Sequence, residues 1–165
     1  MLNLSWEKIK EMTRTEIKAQ IREWDTATWK IEMMSKSTMK WYTETKLKIK
    51  YDNCYTNSTA SKFLAKARTN SLKIREVLGR TKENRENNFD TTCQLCGTEE
   101  EDLEHFILKC RKLEGKRDKE IIDKVKKIKE ENRMAYILFG IRKWEEVSRM
   151  IYKLWHLRKI LLKPP

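Results

Sequence analysis

The chain has 165 residues, of which 39% are apolar and 38% charged, and its 37 Lys and Arg outnumber 25 Asp and Glu to give a net charge of +12. With 4 glycines, and with both prolines at positions 164 and 165, the composition favours helices and argues against all-β sandwiches, which need frequent turn residues. No uncharged run approaches the roughly 18 apolar residues of a membrane span, so we expect no membrane partner. Because the N-terminus lacks the apolar core of a signal peptide, we expect an intracellular protein of the nucleus or cytoplasm with reduced cysteines.

The first part of the chain has the apolar spacing of amphipathic helices. Residues 5–34 predict one or two helices, capped at Ser5 or Thr13, with apolar side chains at i, i+4 and i+7. A further helix is predicted after Ser37, which would serve as its N-cap. The polar, Asn-containing stretch 51–58 then predicts a loop.

Short periodic segments follow in the middle of the chain. A helix capped by Ser58 or Thr59 is predicted to end near Asn70. The apolar residues of 72–78 fit either a strand or a turn of helix, and the pattern does not decide between them. Residues 79–90 are charged and rich in Asn, which predicts a linker.

Two basic helices are predicted after the last cysteine. The first is long and places apolar side chains at 121, 122, 125 and 128, and the second carries the apolar residues of 147–161. Four of the tryptophans stand at helical spacing beside aliphatic residues and are predicted to lie in the core: Trp24, Trp41, Trp144 and Trp155.

One short acidic segment lies within this basic chain. Residues 93–110 carry 1 basic and 5 acidic side chains, a net charge of −4, whereas 111–165 carry 17 basic and 8 acidic ones, a net charge of +9. A positive field of this size attracts phosphate backbones through counterion release. Nucleic acid is therefore the first partner that the charge pattern indicates, although a basic balance also serves solubility alone.

The acidic segment holds the strongest chemical motif, with the spacing C-x2-C-x8-H-x4-C. Its ligand candidates are Cys93, Cys96, His105 and Cys110. Three thiolates and one imidazole are a standard set for structural Zn²⁺, which prefers four tetrahedral ligands. Gly97 tolerates the left-handed backbone that the turn after Cys-x-x-Cys often needs. We therefore expect one structural zinc ion, bound in a knuckle that comprises residues 93–110.

Two other uses of these cysteines fit the sequence less well. A disulfide would leave one thiol of the three unmatched, and a redox Cys-x-x-Cys normally lies in a βαβ unit. Cys54 is expected to be a free thiol in the core or a loop. On the predicted helix 103–109, His105 and Cys110 would be about 140° apart around an ideal α-helix. The helix must therefore loosen near Lys109 for Cys110 to reach the metal.

These residues resemble the region that follows the polymerase core in non-LTR (LINE-type) retrotransposon reverse transcriptases. The similar stretches are Lys62-Phe-Leu-Ala-Lys-Ala-Arg-Thr-Asn-Ser-Leu72 and the knuckle from Cys93 to Cys110, with its Cys-Gln-Leu-Cys-Gly and Leu-Glu-His sequences. The resemblance is good over about 60–114 and looser over 30–60 and 130–160, and residues 1–29 contribute little to it. It implies a module that grips RNA or target DNA beside a polymerase, with four metal ligands and Arg68 carried over.

The chain departs from that family where catalysis is concerned. It has no adjacent pair of Asp, and the only Pro residues are terminal, so neither a polymerase site nor the Pro-Asp start of a restriction-like nuclease is present. The scattered Asp residues also fail to suggest a ribonuclease H site, which needs several carboxylates around two metal ions. We therefore expect a non-enzymatic domain, an accessory part of an RNA-directed DNA polymerase.

The fold class predicted from these observations is mainly α, a helical bundle with a small CCHC zinc knuckle inserted between helices. Its segments, expected to form one compact unit, are an N-terminal helical segment at 1–80, a linker and knuckle at 81–114, and C-terminal basic helices at 115–165.

Basic residues next to the knuckle are the predicted nucleic-acid contacts, with RNA favoured over DNA. They are Lys62, Lys66, Arg68, Lys73, Arg75, Arg111 and Lys112. Phosphate contacts of this kind position a strand without reading its sequence, but the same residues also fit an ordinary solvated face. The alternative function is a protein-interaction module that docks on a polymerase core, part of the same element, or on a host partner.

Overall fold

The computed structural model describes residues 6–45 and 56–163, and it confirms the mainly α fold class. Its α-helices are α1 Trp6–Glu11, α2 Arg14–Met34, α3 Lys40–Thr45, α4 Thr59–Arg68, α5 Arg75–Gly79, α6 Lys82–Glu86, α7 Lys119–Lys126, α8 Arg133–Ala135 and α9 Trp144–Leu161. Two π-helices, His105–Lys109 and Tyr136–Gly140, and three 3-10 helices, Ser37–Met39, Arg111–Lys116 and Glu130–Asn132, complete the regular structure. Within these ranges the only β-type pairing is one antiparallel bridge, between Thr92 and Glu100.

The chain divides into two units, residues 1–51 and 52–165, so the boundary lies inside the first of the three segments drawn from the sequence. None of the described helices combines the length and the apolar stretch that a membrane crossing requires. Cys54 and most of the predicted loop 51–58 lie outside the described residues.

In the N-terminal unit, α2 begins at the second of the two predicted caps. Thr13 accepts a hydrogen bond from the backbone N–H of Glu16, whose carboxylate accepts one from the backbone N–H of Thr13, so the two residues form a capping box. This reciprocal pair satisfies backbone donors that a helix start otherwise leaves exposed. The helix then runs for 21 residues.

The core of this unit is small. The helix α2 packs against α3 and the preceding 3-10 helix, and the buried apolar side chains are Met33 of α2 and Tyr42 of α3. Trp24 is 41% exposed, so the prediction that it lies in the core is wrong. Within this unit, the described residues after α2 form only the short elements Ser37–Met39 and Lys40–Thr45, and these leave Trp24 in the middle of the helix partly exposed.

The C-terminal unit is built on the contact between α4 and α9. Ser58 caps α4, since its side chain accepts the N–H of Ser61. Aromatic rings fill the contact: Phe63 meets Trp155 with a centroid distance of 5.8 Å, and Phe106 of the knuckle meets the same indole at 6.1 Å. Because aromatic pairs bury large apolar areas, α9 serves as the central support for both α4 and the knuckle.

Three predictions for this unit are corrected or decided by the structure. The predicted linker 79–90 contains α6, because Thr81 caps a helical turn by accepting the N–H of Asn84. The predicted long basic helix is short: α7 ends at Lys126, since Lys129 adopts an extended backbone and starts a 3-10 turn. The undecided stretch 72–78 becomes helical at α5, after extended residues.

Candidate metal centre

The first two cysteines are positioned by a tight turn. The backbone N–H of Cys93 donates to the carbonyl of Glu99 (2.8 Å), next to the Thr92–Glu100 bridge, so the chain doubles back on itself. Gly97 closes the turn by donating to the carbonyl of Cys93 (2.8 Å). Its φ of +67° is the left-handed conformation that glycine adopts without a steric penalty. The turn aims the side chains of Cys93 and Cys96 at one point.

A π-helix positions the other two ligands. The backbone N–H of Cys110 donates to the carbonyl of His105 over 2.7 Å, which is an i→i+5 hydrogen bond. A turn with one additional residue brings Cys110 round to the side of His105, whereas an α-helix would separate the two. The expected loosening of the helix therefore takes the form of the π-helix His105–Lys109.

The four side chains converge on one point. One ligand atom from each of Cys93, Cys96, His105 and Cys110 lies within 4.8 Å of the other three. The Sγ atoms of Cys93 and Cys110 are 3.9 Å apart, and Sγ of Cys96 is 3.3 Å from Nε2 of His105. The three cysteines are free thiols, and all the ligands except the half-buried Cys96 are buried. This group could hold one metal ion.

Neighbouring polar groups orient the imidazole and one thiol. Nδ1 of His105 lies 2.9 Å from a carboxylate oxygen of Glu99, so its N–H donates there and Nε2 faces the thiols with its lone pair. Asp102 accepts the backbone N–H of His105 over 2.6 Å, which fixes the start of the π-helix. The hydroxyl of Thr98 donates to Sγ of Cys96 over 3.2 Å. Neither Glu99 nor Thr98 was predicted from the sequence to have this supporting role.

The thiols differ in acidity because their surroundings differ. Burial raises the pKa of Cys93 to about 12. Burial also opposes ionisation of Cys96, but hydrogen bonds from the side chain and backbone of Thr98, together with the nearby imidazole of His105, lower its pKa to about 6. Cys96 is therefore the more acidic of these two thiols.

Arg117 closes the far end of the π-helix. Its Nε donates to the carbonyl of Ile107 (2.9 Å), and its Nη2 donates to the carbonyl of Cys110 (2.7 Å). Partial burial lowers the pKa of this guanidinium, as desolvation disfavours the charged form. Arg117 thus donates to two backbone carbonyls, one of which belongs to Cys110, a candidate metal ligand. No motif in the sequence marks Arg117, which lies seven residues after Cys110.

A buried ion pair fastens the knuckle to α9. Nε and Nη2 of Arg158 donate to the two carboxylate oxygens of Glu101 over 2.6 and 2.7 Å. The Glu101 side chain is 1% exposed and also accepts the backbone N–H of Arg75 over 2.9 Å. Two donors from the guanidinium and a third from the backbone offset the free-energy cost of removing this carboxylate from water.

The predicted nucleic-acid contacts separate into two groups. Those that are exposed are Lys62, Lys66, Lys73, Arg111 and Lys112. Arg68 is only 6% exposed: its Nε donates to the carbonyl of Leu138 (2.7 Å), and its guanidinium lies over the ring of Phe139. Arg75 lies over the ring of Phe89 and forms one hydrogen bond and an ion pair with Asp90.

The contacts of Arg68 lie in the interior of the unit and not at an exposed edge. Its guanidinium is used to bind a carbonyl of the second π-helix, which explains why a basic residue is buried beside the small side chain of Ala67. Arg75 is similarly engaged and half-buried. A nucleic-acid contact by either arginine stays a prediction.

No protein-family model, curated protein or solved structure matches this chain. The family resemblance drawn from the sequence therefore remains a prediction.

Proposed function

We propose that this chain is a zinc-stabilised nucleic-acid-binding module. The observation that carries the proposal is the convergence of three thiols and one imidazole inside a strongly basic helical unit. Bond lengths of about 2.3 Å to sulfur and 2.0–2.1 Å to nitrogen put neighbouring ligands of a tetrahedral zinc ion about 3.6–3.8 Å apart. The distances of 3.9 and 3.3 Å between ligand atoms here support that geometry.

The proposed zinc has a structural role. Four protein ligands fill a tetrahedral site and leave no position for a substrate or an activated water. The ion would hold the turn at Cys93 against the π-helix at His105, and so it would shape the knuckle that α9 supports. We accordingly propose that the chain is not an enzyme.

Nucleic acid is the proposed partner because positive charge remains available around the knuckle. Five of the predicted contacts are exposed: Lys62, Lys66, Lys73, Arg111 and Lys112. None of the five forms an ion pair within 6–45 and 56–163, so each can neutralise a phosphate without first breaking a salt bridge. The chain would therefore bind nucleic acid through charge and shape, with RNA favoured over DNA.

The sequence resemblance adds a context to this proposal. We infer that the chain is related to the C-terminal region of LINE-type reverse transcriptases, where it would act beside a polymerase. Support comes from the ligand spacing together with the Ala-Arg-Thr segment before it. An intracellular location, in the nucleus or the cytoplasm, accords with reduced thiols and with this partner.

The metal is tested on the full chain by mass spectrometry under native conditions and by thermal unfolding. Purified protein should carry one zinc ion, and Cys96→Ser or treatment with a chelator should lower the melting temperature, because metal binding contributes to folding. Cys54→Ser is the matched control, since Cys54 is not one of the four ligands, and it should retain the ion. Unchanged melting after demonstrated loss of zinc would refute a structural role.

Nucleic-acid binding is tested by fluorescence anisotropy with a labelled single-stranded RNA across a salt series. Affinity should fall steeply between about 50 and 200 mM salt, as expected when phosphates are neutralised. The charge-neutral variant of Lys62, Lys66 and Lys73 to Gln should bind more weakly with a shallower salt dependence. If the affinity of the parent protein for RNA does not change with salt concentration, the proposal is contradicted.

A second candidate, a protein-interaction module, is favoured by one observation in the N-terminal unit. Large apolar side chains of α2 are exposed: Ile21, Trp24, Ile31 and Met34, with Met34 at 76%. Exposed apolar surface of this kind marks contact sites for other proteins. The protein-interaction function would be favoured if the charge-neutral variant of Lys62, Lys66 and Lys73 binds RNA as tightly as the parent protein does.

A further inference from the structure

A groove of about 760 Å³ runs beside α9 in the C-terminal unit. One wall is the end of the 3-10 helix Arg111–Lys116 and the start of α7, and the other is the face of α9 that carries Arg149, Lys153 and His156. None of the contacts predicted from the sequence lines it. Its volume is that of a site for one small ligand or a short segment of a chain.

The acidic side chains of the groove are already engaged. Asp118 caps α7 by accepting the backbone N–H of Ile121 over 3.1 Å. Two further carboxylates are neutralised by lysines: Glu120 accepts from Lys124 over 2.6 Å, and Glu146 lies 3.2 Å from Lys143. Lysines therefore offset two of the three negative charges, whereas Asp118 keeps its charge as a helix cap.

Arg117 at the groove is engaged with the carbonyls of Ile107 and Cys110, but three other basic side chains of the lining form no ion pair. Lys116, Arg149 and Lys153 are all exposed, and in the described part of the chain none of them forms an ion pair. Arg149 and Lys153 are four residues apart on α9, so they lie on one face of that helix. Three unpaired cations around a groove provide positions for successive phosphates of a strand.

An aromatic platform lies between these cations. Tyr152 and His156 pack edge to face with their ring centroids 4.4 Å apart, and Phe63 supports Tyr152 from behind at 5.4 Å. His156 is exposed at the groove, whereas Tyr152 is half-buried. A supported ring beside free cations is the combination on which unpaired bases stack in proteins that bind single strands.

We propose that this groove binds single-stranded nucleic acid, with phosphates on Lys116, Arg149 and Lys153 and a base stacked on His156. This rests on the proposed function and adds a second contact surface, on α9, to the exposed residues predicted from the sequence. Single-stranded substrate is required, because only an unpaired base exposes a face to the ring and the groove is too small for a duplex.

The charge component is tested by anisotropy with labelled single-stranded RNA and the zinc-loaded full chain. Changing Arg149 and Lys153 to Gln should weaken binding about tenfold and reduce the slope of log affinity against log salt by about 1.4, which is two phosphate contacts on a single strand. Lys82→Gln with Arg85→Gln, on α6, removes the same charge outside the groove and should leave both quantities nearly unchanged.

The stacking component is tested at His156. The variant His156→Ala should weaken binding about fivefold or more, while His156→Phe, which keeps an aromatic face, should bind within about twofold of the parent. Equal losses in the two variants would overturn the stacking. A fully paired RNA hairpin should compete poorly, and competition equal to that of the single strand would overturn the preference for one strand.

The outcomes separate this inference from the function on which it rests. If the parent binds RNA with a steep salt dependence and the Arg149 and Lys153 variant matches the Lys82 and Arg85 control, the groove is refuted and nucleic-acid binding stands. If the parent shows no salt-dependent binding, both proposals fail.

Discussion

The ion pair between Glu101 and Arg158 joins the knuckle to the central helix α9, so neutralising its carboxylate is a demanding test of the architecture. In Glu101→Gln the side chain keeps nearly the same shape but loses its charge. The guanidinium of Arg158, with only 9% of its side chain exposed, would then be buried without a counterion. The amide would also offer one oxygen where the carboxylate now accepts three hydrogen bonds.

The magnitude follows from what remains buried. Removing one partner of a buried ion pair typically destabilises a protein by about 3–5 kcal/mol, because the other charge stays desolvated. We expect Glu101→Gln to fall in that range. Glu104→Gln is a matched control in the same segment, since its contact with Lys109 over 3.1 Å is half-exposed. Screening by water limits the value of such a pair to about 1 kcal/mol or less.

The measurement is urea unfolding of the zinc-loaded protein followed by far-ultraviolet circular dichroism. Replacing both members, as Glu101→Met with Arg158→Met, should recover much of the lost stability because no charge is then left unpaired. The reasoning is refuted if Glu101→Gln costs no more than Glu104→Gln, or if the double variant is less stable than Glu101→Gln.

Three further outcomes are expected from other positions. Gly97→Ala should cost about 1 kcal/mol in urea unfolding, because its φ of +67° strains any side chain although no atom lies within 4 Å of the added Cβ, whereas Gly115→Ala should be close to neutral. Arg117→Met should weaken zinc binding in a competition titration with a chelator, by about tenfold, since partners that orient ligands are worth that much. Hydrogen bonds from Thr13 hold the pKa of Glu16 below its usual 4.5. The carboxylate therefore stabilises α2 above pH 4.5, and this contribution should disappear as pH falls through the lowered value, which amide exchange at the start of α2 would report.

The sequence was sufficient to predict which four side chains come together as candidate ligands, because metal-binding spacing is a local property. Two residues between Cys93 and Cys96 define a turn, and the register of His105 and Cys110 required a departure from α-helical geometry that the π-helix provides. The helical caps at Thr13 and Ser58 were predictable for the same reason, since each depends on residues within one turn.

Features that depend on residues far apart in the chain were not predictable. Glu101 and Arg158 are 57 residues apart, and each resembles an ordinary surface charge when the sequence is considered alone. Arg68 carries the composition of a phosphate contact, yet the carbonyl of Leu138, 70 residues away, determines where its guanidinium lies. Trp24 was predicted to be buried and is exposed. An apolar stripe shows that a helix has an apolar face, but it does not show that another element covers that face.

The π-helix His105–Lys109 also constrains how this chain can be lengthened or shortened. Each residue of an α-helix turns the chain by about 100°, so deleting one residue between His105 and Cys110 would change the orientation of the following 3-10 helix Arg111–Lys116 and of one wall of the groove. An insertion or deletion at this point would therefore also change the structure outside the π-helix. The length of five residues here sets the angle between the metal site and the helices that follow.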